Sequence, residues 1–238
     1  VNYVVALTDQ RLDTYSEFDT SSIVTSATRR FNLESNPTSI FSRPSLDASI
    51  AGFMVLLADK SFLSSQKYDL TFTGALNDSL IFSIGGFHDH RKFLINDLKS
   101  GYINGLAFSN SYMSDSDVLT KFEYEYSKYN AKVSYETYQS NSFGLNITSA
   151  LVRGWSFKAS LLHTQKSHFA DFPIFGKKKE EINSAKIEFS KTSSDKCLFA
   201  SYRVSKNDNR SSIDIYSRSN LQVTADFSYV CLMNDPGK

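Results

Sequence analysis

The sequence is poor in residues that break or staple a chain. Its 238 residues hold only four prolines, ten glycines and two cysteines. That scarcity excludes a Pro/Gly-rich linker or a low-complexity segment, and no internal domain boundary is marked. Two cysteines exclude a disulfide-stapled miniprotein, and Cys197 and Cys231 lack metal-site spacing. They fall in the last two expected strands. Two free buried thiols are the simpler reading there, and a cross-strand disulfide requires matched register. No apolar run reaches the ~20 residues of a membrane helix; the longest, around Ile50 to Ala58, contains Gly52. A formal net charge of +1 supplies no field for nucleic acid. No secretory leader opens the sequence, and Val1 is the start expected of a mature or trimmed form.

What the chain has in quantity is two-residue alternation. Between Leu119 and Tyr129, Phe122, Tyr124 and Tyr126 fall on one side of an extended strand, and Lys121, Glu123 and Glu125 on the other. Successive strand side chains point to opposite faces, so this segment has an aromatic face and a charged face. Leu70, Phe72, Gly74 and Leu76 alternate in the same way with Asp69, Thr71, Thr73 and Ala75. Trp155, Phe157, Ala159 and Leu161 alternate with Ser156, Lys158 and Ser160, and Leu221, Val223, Ala225 and Phe227 with Gln222, Thr224 and Asp226. The rhythm predicts strands at 3–8, 22–31, 45–57, 67–76, 79–87, 102–112, 118–129, 131–138, 142–152, 155–164, 182–191, 196–205 and 220–232, with 91–98 a further candidate. No long segment shows apolar spacing of helical period.

Turn signals at 77–78, 129–130, 193–195 and 207–209 join these strands by short links. Short links make an antiparallel meander, because parallel pairs need long crossovers. The expectation is therefore an all-β, antiparallel up-and-down transmembrane β-barrel of 12–14 strands, one domain over residues 1–238, in the bacterial outer membrane. An apolar share of 41% and an aromatic share of 14% fit, since only alternate residues meet lipid. A soluble β-sandwich of lectin-like binding type fits the composition as well. With the termini in the periplasm, links 129–131 and 192–196 are inner turns, and 138–142, 165–181 and 206–219 are outer loops.

In such a barrel the polar strand faces line a lumen. Glu123, Glu125, Lys158, Lys186, Glu188, Arg203 and Asp226 are the lumen-lining candidates, with Lys121, Lys132 and Glu136 of the same pattern. Mixed signs suit a wet pore or an ion-paired interior. Phe172, Phe175, Lys177, Lys178 and Lys179 form a basic-aromatic segment able to contact an acidic polymer or the phosphates of lipopolysaccharide. A solubilising loop is the plainer reading of that segment. Phe87-His88-Asp89-His90 carries two imidazoles and a carboxylate, but no third ligand at metal spacing, so polar residues near a strand end are the default. Glu180 and Glu181 are adjacent and face apart, which excludes a catalytic carboxylate pair. No nucleophile elbow, phosphate loop or zinc motif occurs. The chain reads as a non-enzyme with no cofactor.

Two segments near the C-terminus carry a likeness. One is Asp171-Phe-Pro-Ile-Phe-Gly-Lys-Lys-Lys-Glu180-Glu181; the other runs Asn209-Arg-Ser-Ser-Ile-Asp-Ile-Tyr-Ser-Arg218-Ser-Asn-Leu-Gln-Val. Together they resemble the last strands of the surface lipoprotein assembly modifier family, outer-membrane barrels that follow periplasmic tetratricopeptide repeats. The resemblance runs from about His168 to Tyr229. It implies export of a lipid-anchored protein or a polymer such as a polysaccharide, with outer-membrane lipid, lipopolysaccharide and a periplasmic repeat domain as partners. The family's closing strand ends in a C-terminal aromatic residue, whereas this chain continues to Met233-Asn-Asp-Pro-Gly-Lys238. Against export stands a passive diffusion porin.

Overall fold

The computed structural model describes residues 2–10, 20–34, 40–58, 60–151, 154–173, 175–192 and 198–229. Twelve strands make up nearly all of it: β1 Asn2–Gln10, β2 Thr20–Asn32, β3 Ser42–Leu57, β4 Lys60–Ala75, β5 Leu80–Phe93 and β6 Gly101–Met113, followed by β7 Val118–Ala131, β8 Tyr138–Ala150, β9 Trp155–Phe172, β10 Gly176–Thr192, β11 Leu198–Ser211 and β12 Arg218–Tyr229. They form one antiparallel sheet in sequence order. Each strand pairs with its chain neighbours, as short links dictate. No ladder joins β1 to β12 among the described residues, so the sheet is open along that seam. Cys197 and Cys231 lie outside the described residues.

The sheet has one layer, and its two faces differ in kind. Side chains paired across the ladders share a face. One face carries Asp69, Thr71 and Thr73 of β4, then Ser83, Asp89 and Arg91 of β5, and Ser127, Glu125 and Glu123 of β7. The other carries Leu70 and Phe72, then Ile84, Leu106 and Phe108, and Tyr124 and Phe122. Most of the enclosed residues described are polar, with Asp89 4% exposed, Ser140 5% and Ser201 6%, beside the apolar Ile103, Tyr129, Phe172 and Ile213. Leu106 is 63% exposed, Leu161 56% and Leu221 67%. This inverts the pattern of a soluble sheet, whose apolar face is buried.

A single layer encloses one face only by curving around it. A cavity of about 500 Å³ is lined at once by Thr71, Ser83, Ala107, Glu125, Ser142 and Leu162, which belong to six consecutive strands. The polar face is therefore concave. Hydroxyls pair across it, with Thr73 Oγ1 3.0 Å from Ser83 Oγ and Ser142 Oγ 2.9 Å from Thr164 Oγ1. At Gly105 the inward Phe87 ring occupies the space over β6 where a side chain would stand. A Cβ there would stand 2.2 Å from Phe87 Cζ.

Three links at one edge share a design. Those after β5, β7 and β11 fold as 3₁₀ turns at Asp97–Lys99, Ser134–Glu136 and Asp214–Tyr216. Each is closed by a hydroxyl that accepts a hydrogen bond from the preceding strand. Phe93 N–H donates to Ser100 Oγ at 2.9 Å, Ala131 N–H to Thr137 Oγ1 at 3.1 Å, and Ser211 N–H to Ser217 Oγ at 2.9 Å. The first turn is tied further by Lys132 Nζ, which donates to Asp97. Hydrogen bonds from Lys132 and then Ser100 hold the Asp97 carboxyl below the usual carboxylate range.

Several expectations change. Residues 131–138 form a turn, not a strand: Val133 and Tyr135 mimic alternation, but the 3₁₀ turn and Thr137 reverse the chain. Lys132 and Glu136 accordingly sit in that turn rather than on a strand face. The segments expected as outer loops at 138–142, 165–181 and 206–219 are mostly strand, since β8 begins at Tyr138, β9 and β10 run on to a tight link at 173–175 and β11 and β12 to one at 212–217. The link after β7 lies at the same edge as those two, not at the opposite edge expected of 129–131. Likewise 91–98 divides between the end of β5 and the link that follows. No second sheet covers the apolar face among the described residues, which leaves no β-sandwich.

Candidate functional site

The concave face gathers the charged side chains that alternation places opposite the aromatics. Glu123 pairs in register with Ser109 and Gly144, and Glu125 with Ala107 and Ser142. Lys158, Glu188 and Arg203 form a single row across β9, β10 and β11. Lys186 lies one step along, opposite Ser160 and Ser205. The backbone of Asp226 pairs with Ser201, and its side chain is outside the described residues. Glu188 is the hub. It is 7% exposed, with Lys186 Nζ at 3.1 Å and Arg203 Nε at 2.9 Å from Oε2. Two cations on one enclosed carboxylate offset the cost of removing it from water. Glu123 takes Lys121 at 2.5 Å and the Asn146 amide at 2.7 Å.

More inward charges join these than the seven candidates. Asp47 accepts two hydrogen bonds from Arg30 at 2.8 and 2.7 Å. Lys67 meets Asp69 at 2.9 Å, and Arg91 meets Asp89 at 2.7 Å. The alternation of Tyr68, Leu70 and Phe72 marks Lys67 and Asp69 as their opposites, and Leu46, Ala48 and Ile50 mark Asp47 in the same way. Asp89, between His88 and His90, lacks such flanking contrast.

At the edge of the 3₁₀ turns the concave face narrows into an aromatic and ionic cluster. In β9, residues 168–170 stand opposite Lys178 alone, a bulge between the ladder pairs Lys177–Asp171 and Lys179–Ser167. Bulges bend a strand and re-aim its side chains. His168 is inward, its ring centroid 5.3 Å from that of Tyr138 in a tilted contact and 5.2 Å from that of Phe172 edge to face. Tyr129 lies 5.4 Å from Tyr138. The turn residues Tyr135 and Tyr216 reach in to Phe172 at 5.2 and 6.3 Å. Lys178 Nζ sits 4.0 Å over the Tyr216 ring and 3.1 Å from Glu180. Lys166 lies 5.2 Å over Tyr138. The His168 Nδ1 is 2.8 Å from the Tyr135 carbonyl, while Nε2 stands 3.5 Å from Glu180 with no hydrogen bond.

The five basic-aromatic candidates separate along this bulge. Phe172 and Lys178, each 8% exposed, point into the cluster. Phe175, Lys177 and Lys179 are exposed. The five therefore do not act as one loop. Phe87-His88-Asp89-His90 divides for the same reason. Asp89 faces inward, accepts from the Ser65 hydroxyl and pairs with Arg91. His88 faces outward, with Nδ1 2.7 Å from Asn104 Oδ1. Neighbours in a strand cannot close on one ion. No cluster of three metal-ligating side chains occurs among the described residues.

Comparison with protein-family models and with curated protein sequences finds no match to this chain.

Proposed function

We propose that this chain is an outer-membrane β-barrel of twelve strands in a Gram-negative bacterium, whose charged interior conducts a hydrophilic cargo. The observation that carries this reading is the inversion of faces. More than a dozen large apolar side chains of the convex face are at least a third exposed, among them Ile50, Leu70, Ile84, Phe143, Ile187, Tyr202 and Val223. At ~25 cal/mol per Å² and roughly 80 Å² apiece, leaving them in water would cost on the order of 25 kcal/mol. That exceeds the ~5–15 kcal/mol by which folded proteins outweigh their unfolded chains. Lipid removes the cost, and β-strands satisfy their backbone groups in lipid only as a closed barrel. Closure pairs β1 with β12.

The dimensions choose among cargoes. Twelve strands about 4.8 Å apart, tilted about 40°, enclose a backbone cylinder about 24 Å across. Side chains on the wall leave a lumen about 12 Å wide, against a radius of gyration of ~13 Å for a folded 100-residue domain. An extended polypeptide or an unbranched polysaccharide passes; a folded domain does not. The surface lipoprotein assembly modifier likeness of 168–229 supports export, and a periplasmic repeat domain would then deliver the cargo. Glu123, Glu125, Lys158, Lys186, Glu188 and Arg203 would meet it along the wall, and the Tyr129–Tyr138–His168–Phe172 cluster would constrict the path. The second reading, a passive porin, is favoured by the short links among the described residues, where β5 to β12 are joined by seven residues or fewer.

The deciding experiment compares boiled and unboiled protein, extracted in mild detergent, on a gel, and then measures conductance in planar bilayers. A mobility shift and discrete conductance steps are expected. Solubility without detergent and an unchanged mobility would refute the barrel. Large steady conductance by the isolated chain would favour the passive porin over the export conduit.

A further inference from the structure

The convex face holds one groove whose chemistry is not that of plain lipid contact. It lies over β8 to β11, has a volume of about 490 Å³, and is lined by Phe143, Leu145, Leu161, His163, Asn183, Ala185, Lys206, Asp208 and Arg210 among others. Register explains it as successive rows. The apolar row is Phe122, Leu145, Leu161, Ala185, Lys206 and Leu221. Ala185 is the small residue among large ones and makes the hollow. Toward the edge of the 3₁₀ turns the next row is Phe143, His163, Asn183 and Asp208, and the following one Asn141, Gln165, Glu181 and Arg210. Beyond it lies Gln139, Ser167 and Lys179, with Lys128 opposite Gln139.

Lys206 is the anomaly. It is exposed and stands in the apolar row between Ala185 and Leu221, and no carboxylate pairs with it among the described residues. A lone ammonium at the lipid boundary needs either water, reached by snorkelling, or an anion. Arg210 is close by, 74% exposed although its Nε meets Asp208 Oδ2 at 3.2 Å. His163 Nδ1 is 2.7 Å from Asn183 Oδ1 and 3.8 Å from Glu181. The rows of the rim thus set four cations, Lys206, Arg210, Lys128 and Lys179, against the two carboxylates Asp208 and Glu181, an excess of positive charge. An apolar hollow beneath that rim matches an acyl chain continuous with a phosphate, which Arg and Lys bind by charge-assisted hydrogen bonds.

We infer that this groove seats a phosphorylated, acylated glycolipid of the outer leaflet, the chemistry of lipid A, with an acyl chain over Leu145, Leu161 and Ala185 and a phosphate at Lys206 and Arg210. The inference rests on the barrel reading. Its leaflet follows from the groove's position toward the edge opposite the start of β1 and the end of β12, the edge that faces outward when the termini are periplasmic.

The test delipidates the full chain in detergent and measures retention of purified lipid A by native mass spectrometry, with phosphatidylglycerol as competitor. The wild type should retain lipid A. The Lys206→Ala/Arg210→Ala variant and the groove-filling Ala185→Trp variant should each lose at least tenfold, while Lys99→Ala, in a distant turn, should lose nothing. Equal retention by the double variant, or equal competition by phosphatidylglycerol, overturns the inference. Heat-modifiability of the same samples separates the two failures. A preserved shift without lipid A selectivity removes this site alone, and a missing shift removes the barrel with it.

Discussion

Leu70 and Thr71 are adjacent in β4 and face opposite media under the barrel reading, so the same substitution at each should give different results. Leu70 lies among the outward Tyr68 and Phe72 and is 52% exposed. Thr71 faces inward, in register with Asp47 and Gly85. Arginine near the bilayer midplane of a barrel's outer face costs ~2–4 kcal/mol. A 1.4 kcal/mol change is a factor of ten, so Leu70→Arg should lower the folding equilibrium about 30- to 700-fold. At Thr71 the guanidinium gains the carboxylates of Asp47 and Asp69, and the change should stay within ~1 kcal/mol. On a water-facing surface both substitutions would fall within about ±0.5 kcal/mol. Reversible urea unfolding in phospholipid vesicles reports the difference, followed by the fluorescence of Trp155, the one tryptophan of the chain. Equal costs at the two positions, or a cost under 0.5 kcal/mol at Leu70, would refute the assignment of faces.

Other perturbations test the interior. Glu188→Ala leaves Lys186 and Arg203 without their shared carboxylate; a loss of about 1–3 kcal/mol in stability and a shift of single-channel selectivity toward anions are expected, and unchanged reversal potentials would count against a lumenal Glu188. Gly105→Ala forces Phe87 off β6 and sets a Cβ 2.9 Å from the Tyr126 carbonyl oxygen, and it should cost ~1–3 kcal/mol, restored in part when Phe87→Leu is added; a full cost in the double variant would show that the ring is not the obstacle. The Asp97 carboxyl, held low by Lys132 and Ser100, contributes stability that is present above its unfolded value of about 3.9 and lost as pH falls through the folded one. Lys132→Ala should return Asp97 toward the ordinary range in a carbon-13 carboxyl titration, and an unmoved titration would reject the contact.

The sequence was most legible where apolar and polar residues alternate without interruption. Phe122, Tyr124 and Tyr126 against Glu123 and Glu125 were enough to assign both faces of β7, and the same contrast marked Lys158, Lys186, Glu188 and Arg203. It failed where contrast vanishes. In β9 and β10 the ladder continues through Gln165, Lys166 and Ser167 opposite Lys179, Glu180 and Glu181, and a strand polar on both faces reads as a loop. It failed again at the inward cluster, because Tyr129, Tyr138 and Phe172 put aromatics on the polar face. Nor could composition reveal a bulge that sets three residues of β9 against Lys178.

The three hydroxyl-closed turns make the hairpin the repeating part of the wall. β5–β6, β7–β8 and β11–β12 each end in the same fastening, by Ser100, Thr137 and Ser217. Each fastening acts within its own hairpin, but further bonds tie each turn to the next element along the same edge: Lys132 N–H donates to the Ser100 carbonyl, Phe169 N–H to the Thr137 carbonyl and Ser212 N–H to the Lys179 carbonyl. The turns are thereby laced into a collar, and removal of any one hairpin would undo a bond at its neighbour as well as its own fastening. The β9–β10 hairpin, which turns instead at 173–175 and carries the bulge, contributes Phe172 and Lys178 to the cluster beneath that collar.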